Sequence, residues 1–229
     1  MRSRETHLRL NAAALVTLRP VLPQWVVVVP VKELRFAKSR LAQLTQDGRA
    51  QIALAMARDV VAAAVECDLV SAVYVVTNDV LAAATLEGDG ARVIADASDS
   101  GLNAALTDAA RVATGWHPRN GVAALSSDLP ALSAAELREA LSAAGVAPRC
   151  FVPDQDGAGT TLLTAAPGSA LAPQFGRASR DRHVRSSAVE LSGRWPGLRC
   201  DVDTPADLDR ALRQRLGRHT AAALAQLGS

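Results

Sequence analysis

The segment WVVVVPVKELRFAKSRL at residues 25–41 joins an apolar run directly to a charged loop. Its first part, WVVVVP, is apolar without a break, which is typical of a strand buried on both faces. Short apolar runs that alternate with helical patterns predict an α/β fold, in which helices cover both faces of a mostly parallel sheet. Further strands of this kind are predicted at residues 72–76, 91–95 and 121–125, and helices at about 49–67, 101–113 and 133–144.

The second half of the chain departs from this alternation. Residues 150–153 and 160–164 have the pattern of two strands around the turn-rich sequence DQDGAG, which predicts a β-hairpin inserted in the sheet. Residues 198–202 are predicted to form a last strand. Thr204 and Pro205 then have the residue types of a cap and first turn, so a final helix is expected to start there.

Length and composition favour a single domain. The chain has 229 residues, of which 49% are hydrophobic and 21% charged, enough for one substantial core. We assign residues 23–217 to this domain and residues 218–229 to a C-terminal helix or tail. Residues 1–22, with arginines around a short apolar patch, are interpreted as a disordered N-terminal extension.

Charge and cysteine content narrow the class of protein. A formal charge of +2 with only 3% aromatic residues argues against nucleic-acid binding, which needs a basic face. No apolar run reaches membrane-spanning length. The three cysteines are odd in number and widely spaced, which predicts buried thiols in a cytoplasmic protein and neither disulfides nor a zinc site.

Three aspartates stand at predicted strand ends. Asp128 follows the strand at 121–125, and Asp201 and Asp203 lie two residues apart at the end of the strand predicted at 198–202, so their side chains would share a face. Ligands of α/β proteins bind at such carboxyl ends, and carboxylate oxygens suit a hard divalent cation such as Mg²⁺. The alternative for each aspartate alone is a helix cap or a solvated turn.

The loop after the first strand is rich in cations. Lys32, Lys38 and Arg40 lie where α/β proteins commonly bind phosphate, with Glu33 as the one acid among residues 31–41. The loop has no glycine, so phosphate would be held by cationic side chains as well as by backbone N–H groups. The alternative is that these are ordinary solvated side chains.

Five short motifs, in order, resemble those of the 2-phospho-L-lactate and phosphoenolpyruvate guanylyltransferases of coenzyme F-420 biosynthesis. They are PVK at 30–32, AKSRL at 37–41, GLNAA at 101–105, SDLP at 127–130 and CDVDTP at 200–205. The resemblance, which covers residues 25–212, implies a single-domain, three-layer nucleotidyltransferase fold of the glycosyltransferase-A type. It also implies Mg²⁺-dependent transfer of GMP from GTP to a small phospho-carboxylic acid, with release of pyrophosphate and a possible homodimer.

The resemblance also implies roles for individual residues. Lys38 and Asp128 would be catalytic, and Asp128, Asp201 and Asp203 would hold Mg²⁺. Lys32, Lys38 and Arg40 would bind the triphosphate, Asn103 would contact the base or ribose of GTP, and Thr160, Gly176 and Ser179 would bind the phospho-acid. Glycines beside Thr160 would let backbone N–H groups approach that anion. The four histidines need no catalytic role, and we expect all of them, His183 included, on the surface or in loops.

Two other functions stay open at this point. One is a sugar-phosphate or molybdopterin nucleotidyltransferase of the same fold, whose first loop would be glycine-rich. The other is a non-catalytic nucleotide-binding domain that has lost the metal site. The motifs also leave open whether the acid is phosphoenolpyruvate, 2-phospho-L-lactate or 3-phosphoglycerate, since all three present a phosphate and a carboxylate.

Overall fold

The computed structural model describes residues 24–97 and 101–228. The extension predicted at residues 1–22 lies outside these ranges. Within them the chain forms one mixed sheet of seven strands in the order β3-β2-β1-β4-β6-β5-β7, and β6 alone runs antiparallel to its neighbours. The strands are β1 (Trp25–Pro30), β2 (Val70–Val76), β3 (Arg92–Ile94), β4 (Gly121–Leu125), β5 (Arg149–Pro153), β6 (Thr160–Ala165) and β7 (Val189–Glu190).

Helices cover both faces of the sheet, so the predicted three-layer α/β fold is confirmed. Alternate residues of β1 point to opposite faces, and both faces are buried: Val27 and Val29 belong to one hydrophobic cluster, and Val26 and Val28 to another. The helices are α1 (Gln46–Glu66), α2 (Val80–Gly88), α3 (Leu102–Trp116), α4 (Ala134–Ala143), α5 (Ser179–Arg185), α6 (Pro196–Arg199), α7 (Pro205–Leu212) and α8 (Arg218–Leu227).

Local sequence signals fixed several of these elements as predicted. The hairpin is present, because β5 and β6 pair antiparallel around residues 154–159. Thr204 caps α7, and its side chain accepts a hydrogen bond from the backbone N–H of Asp207 while that aspartate bonds back in a capping box. Helix α4 starts with the same arrangement at Ser133.

The strand predicted at residues 198–202 is wrong. Residues 196–199 form the short helix α6 instead, because Pro196 suits a first helical turn and Gly197 packs against the carbonyl oxygen of Ala131, where a side chain would collide. Residues 200–203 are irregular. The sheet edge is taken by β7, a two-residue strand parallel to β5 that the sequence did not indicate.

The last helix packs on the first. Asp59 of α1 accepts hydrogen bonds from the backbone N–H groups of His219 and Thr220 in α8, at 3.0 and 2.8 Å. The domain boundary at residue 217 stays a prediction. The thiols of Cys67, Cys150 and Cys200 are free and buried, as predicted. Across the described ranges, none of the helices combines the length and apolarity needed to cross a membrane.

Candidate active site

A cleft of about 770 Å³ opens at the carboxyl ends of β1 and β4. The sheet order reverses between these two strands, which is where ligands of open α/β sheets bind. The cleft walls come from the loop after β1, residues 126–128 after β4, the start of α3, and Asp203. The cleft therefore brings together five of the predicted site residues: Lys32, Lys38, Arg40, Asp128 and Asp203.

Lys38 is the centre of this cleft. Its ammonium lies 2.6 Å from a carboxylate oxygen of Asp128 and 3.1 Å from one of Asp203, and its side chain is only 10% exposed. Burial alone would lower the pKa of Lys38, but the charges of both aspartates and their hydrogen bonds outweigh it, and the pKa is raised. The ammonium therefore stays charged at neutral pH.

The backbone of Lys38 is strained. Its φ of 50° lies in the left-handed region, which is unfavourable for a residue with a side chain. Strain of this kind persists where the surrounding contacts enforce it, and it is common at functional sites. Here the ion pairs of the ammonium with Asp128 and Asp203 help to hold Lys38 in this conformation.

Negative charge is concentrated around the same point. Burial, followed by the neighbouring charges of Asp128, Asp154 and Asp203, raises the pKa of Asp201 to about 7. The backbone N–H of Val202 donates to the carbonyl oxygen of Asp128 at 3.1 Å, which holds residues 201–203 beside the end of β4. Asp201 is therefore near enough to feel the charges of Asp128 and Asp203, but it does not line the cleft, and residues 198–202 are no strand.

The aspartates offer the donor chemistry that Mg²⁺ prefers. Across residues 24–97 and 101–228 no three side chains from His, Cys, Asp or Glu form a recognisable metal cluster. Asp128 and Asp203 nevertheless direct oxygens at a common cation, the Lys38 ammonium. Two carboxylates are what Mg²⁺ commonly takes from a protein when substrate phosphates supply further ligands, so these residues fit the ion.

The other predicted nucleotide-binding residues separate into two groups. Lys32 and Arg40 line the cleft and are exposed, and Arg40 lies 3.7 Å from Asp203. The side chain of Asn103, in contrast, is committed to the backbone of Phe175: it accepts from the N–H at 2.7 Å and donates to the carbonyl at 3.1 Å. Asn103 therefore joins α3 to the loop before α5, outside the lining of the cleft.

The residues predicted to bind the phospho-acid meet at a second place. The hydroxyl of Ser179, at the start of α5, donates to that of Thr160, at the start of β6, over 3.1 Å, and both residues are buried. The φ of Gly176 is 111°, in the region that favours glycine, and its carbonyl accepts from the N–H of Ser179. The structure thus brings Thr160, Gly176 and Ser179 together.

The glycine-rich turn beside Thr160 does not work as predicted. We expected its backbone N–H groups to face an anion. Those of Ala158 and Gly159 instead donate to the carboxylate of Asp154, at 2.8 and 2.7 Å. A carboxylate of the protein itself therefore takes up these donors and fixes the hairpin turn.

His183 is buried, so the expectation of a surface or loop position is wrong. It has no exposed area, packs against the rings of Phe151 and Phe175, and contacts Thr160 at 2.9 Å. Burial, followed by the charges of Arg149 and Arg182, lowers its pKa from a usual 6.5 to about 4. One signal was present in the sequence: Ser179 and His183 stand four residues apart, on one face of a helix.

The neutral state of His183 predicts acid sensitivity of the fold. The unfolded chain takes up a proton near pH 6.5 and the folded one only near pH 4, so stability falls as the pH drops between these values. From pH 7 to pH 4.5 this histidine alone should cost about 2 kcal/mol of unfolding free energy. Urea denaturation of wild type and His183→Gln at both pH values measures it, and an equal loss in the two proteins would contradict the prediction.

This chain is similar to known proteins over nearly all of its described length. The family model for CofC-like guanylyl transferases matches residues 25–228. Phosphoenolpyruvate guanylyltransferase of Geodermatophilus obscurus is 52% identical over 206 residues, covering 87% of this chain and 94% of that protein. The protein of the same name from Streptomyces coelicolor is also 52% identical over 206 residues, covering 89% and 97%.

Solved structures support the fold at much lower sequence identity. A nucleotidyl transferase from Methanothermobacter thermautotroptrophicus has a TM-score of 0.55 at 18% identity, covering 89% of this chain and 99% of that one. The 4-diphosphocytidyl-2C-methyl-D-erythritol synthase has a TM-score of 0.56 at 14% identity, covering 84% and 100%. With a family model that matches nearly all of the described residues and relatives that share about half of its sequence, the chain belongs to the CofC-like guanylyl transferase family.

Proposed function

We propose that this protein transfers GMP from GTP to phosphoenolpyruvate and releases pyrophosphate, as a step of coenzyme F-420 biosynthesis. The observation that carries the proposal is the cluster of Lys38, Asp128 and Asp203 in the cleft where the sheet order reverses. The choice of acid is supported by the relatives, which are 52% identical and are named phosphoenolpyruvate guanylyltransferases. The family resemblance supports the pathway.

The reaction requires little covalent work from the protein. A phosphate oxygen of the acid attacks the α-phosphorus of GTP, the bond from that phosphorus to the bridging oxygen breaks, and pyrophosphate leaves with the bonding electrons. The attacking oxygen is already negatively charged at neutral pH, so no general base is needed. Catalysis then depends on aligning the two anions and on stabilising charge.

We propose that the triphosphate lies against the first loop. Lys38, Lys32 and Arg40 would form charge-assisted hydrogen bonds with its phosphates, with Lys38 held in place by Asp128 and Asp203. Mg²⁺ is the proposed cofactor, held by Asp128, Asp201 and Asp203, and when bound it would neutralise charge on the triphosphate and the leaving pyrophosphate. The free, buried thiols suit a reducing cytoplasm, where we place the reaction.

We propose a separate site for the acid, at Thr160, Gly176 and Ser179. These residues do not line the cleft of the first loop, and they belong to the hairpin and to the segment that follows it. A reaction between two anions benefits from such separation, because each can be held by its own donors until the reacting atoms meet.

The two alternative functions are less well supported. The first loop has no glycine, unlike that of sugar-phosphate and molybdopterin nucleotidyltransferases. A non-catalytic domain would have no use for a strained, half-buried lysine between two carboxylates.

Pyrophosphate release tests the proposal. The purified protein with Mg²⁺ and GTP should release pyrophosphate with phosphoenolpyruvate at a higher kcat/KM than with 2-phospho-L-lactate or 3-phosphoglycerate, and GTP should be preferred to ATP and CTP. Release with a sugar 1-phosphate and none with the three acids would favour the other nucleotidyltransferases. If no pyrophosphate is released with any of these acceptors, the non-catalytic nucleotide-binding domain would be favoured.

The acid site makes a prediction of its own. Thr160→Val is expected to raise the KM for phosphoenolpyruvate roughly tenfold to a hundredfold, because a hydrogen bond to a charged group contributes about 1.5–3 kcal/mol. Ser179→Ala should act in the same direction. The affinity for GTP, measured by calorimetry, should stay within about twofold, since neither residue lines the nucleotide cleft.

The control is Thr164→Val in the same strand. Thr164 is also buried, but its hydroxyl donates to the carbonyl of Cys150, away from the site. Both valine variants lose a buried hydrogen bond and should lose comparable stability, about 1–3 kcal/mol, which thermal melts monitor. If GTP binding falls as much as acid binding in Thr160→Val, the two-site arrangement is wrong.

A further inference from the structure

Both ring nitrogens of His183 contact polar atoms in or next to the acid site. No other histidine among the described residues does this. Nε2 accepts from the backbone N–H of Gln174 at 3.0 Å, and Nδ1 lies 2.9 Å from the hydroxyl oxygen of Thr160. The ring packs against Phe151 and Phe175 and has no exposed area, so packing and the two polar contacts hold it in one orientation.

These contacts determine where the ring carries its proton. A backbone N–H can only donate, so Nε2 has to present a lone pair to Gln174. In the neutral ring the proton is then on Nδ1, which donates to the oxygen of Thr160. A second proton on the ring would face the Gln174 N–H as a competing donor, and the lowered pKa agrees with a neutral ring.

The contacts of the Thr160 oxygen therefore restrict the direction in which its hydroxyl proton can point. Its oxygen accepts from Nδ1 of His183 and from the hydroxyl of Ser179, which uses both lone pairs. With Ser179 as the donor of their shared hydrogen bond, the Thr160 hydroxyl has no further acceptor among the described residues. Thr160 is 7% exposed whereas His183 is fully buried, so the free proton belongs to the residue nearer the solvent.

Ser179 has less to offer a ligand. Its hydroxyl donates to Thr160 and its backbone N–H donates to the carbonyl of Gly176, so both of its donors are used within the protein. The residue is 1% exposed. Its contribution is to help orient Thr160, with His183 on the other side of the same oxygen.

We propose that His183 is a positioning residue for the phospho-acid, which fixes the hydroxyl of Thr160 so that its proton is presented to the anionic acid. The inference rests on the proposed acid site. His183 takes no proton during the reaction, and its effect is on the binding of the acid. The surrounding loop is held for the same purpose: Arg182 donates to the carbonyls of Gln174 and Phe175, and Asn103 bonds both polar groups of the Phe175 backbone.

Three substitutions separate this role from simple packing. The amide of His183→Asn can place an N–H near the position of Nδ1, the amide of His183→Gln can place an acceptor near that of Nε2, and His183→Phe keeps the ring shape alone. If His183 orients Thr160, the KM for phosphoenolpyruvate should rise about fivefold to tenfold in the glutamine and phenylalanine variants. The asparagine variant should stay near the wild-type value, and kcat and GTP affinity should be nearly unchanged in all three.

A control variant and a spectroscopic measurement complete the test. His117 contacts the hydroxyl of Tyr74 in β2, and two strands, β1 and β4, separate β2 from β6 of the acid site. His117→Gln should therefore leave the KM for phosphoenolpyruvate unchanged. Nitrogen NMR of the histidine rings at neutral pH should show His183 protonated at Nδ1. This measurement uses the wild-type protein, so it decides the tautomer even where a variant does not fold.

The outcomes distinguish the inference from the function on which it rests. Protonation at Nε2, or a wild-type KM in folded His183→Gln, overturns the positioning role while the acid site stands. An unchanged KM in Thr160→Val overturns the acid site itself. If His183→Asn loses as much acid affinity as His183→Phe, then packing and not hydrogen-bond donation is what His183 contributes.

Discussion

Asp128→Asn is expected to lower kcat for pyrophosphate release by about a hundredfold to a thousandfold, the range seen when a single charge-stabilising group is removed from an active site. Asp128 makes the shortest contact to Lys38, at 2.6 Å, and is one of the proposed Mg²⁺ ligands. The amide keeps the shape of the side chain but removes its charge, so the ammonium loses its main partner. Asp203→Asn should act in the same direction. Steady-state rates at a saturating concentration of Mg²⁺ measure both.

Asp68→Asn provides the matched control. Asp68 also pairs with a cation, Arg138 at 2.9 Å, but lies on the exposed surface outside the cleft. It should keep wild-type turnover, since exposed ion pairs contribute at most about 1 kcal/mol. Near wild-type turnover in Asp128→Asn, with the fold intact by circular dichroism, would remove Asp128 from the catalytic machinery.

The sheet was predictable because local signals and burial agree along most of it. The run WVVVVP has the pattern of a buried strand, and it is one, in the interior of the sheet between β2 and β4. The capping boxes at Ser133 and Thr204 mark helix starts through side chains only three residues apart. Signals between residues this close in the chain can be recognised from the sequence alone.

The strand predicted at residues 198–202 failed because two of its apolar residues, Cys200 and Val202, pack in a different layer. Cys200 and Val202 pack in a cluster with Leu208 of α7 and residues of α1, and not in the sheet. An apolar run shows that residues are buried, but it does not show which element they pack against. The two-residue strand β7 is below the length at which any pattern can be recognised.

In the candidate site, too, the sequence indicates residue types but not their contact partners. The cations of the first loop could be predicted from their place after β1, yet the contact that organises them joins Lys38 to a carboxylate 90 residues later. His183 was misjudged because its partners, the backbone N–H of Gln174 and the hydroxyl of Thr160, are brought to it by tertiary contacts that no sequence pattern identifies. The hydrogen bonds of Asn103 to the backbone of Phe175 could not be anticipated for the same reason. Residue types indicated the chemistry, and tertiary contacts decided which atoms were still free to perform it.

The second large effect is expected for Lys38→Ala, which should weaken GTP binding by roughly tenfold to a hundredfold and lower turnover with it. An ammonium in contact with the β- or γ-phosphate contributes about 1.5–3 kcal/mol, and GMP, which lacks both phosphates, should bind almost as in the wild type. Alanine keeps the β-carbon and so the same backbone penalty at a φ of 50°, which confines the change to the side chain. Lys38→Arg should restore little, because the planar guanidinium cannot occupy the same point between two carboxylates.

Arg35→Ala is the control for loss of a cation from the same loop. Arg35 is exposed, forms an ion pair with Glu33 and lies over the ring of Phe36, so its removal should change GTP and GMP binding equally little. Lys38→Ala also leaves Asp128 and Asp203 facing each other without their shared cation, and the melting temperature should fall for that reason alone. Binding is therefore measured by calorimetry well below the melting transition. Equal weakening of GTP and GMP by Lys38→Ala would show that Lys38 contacts the α-phosphate or the nucleoside, and the proposed position of the triphosphate along the first loop would then have to be reversed.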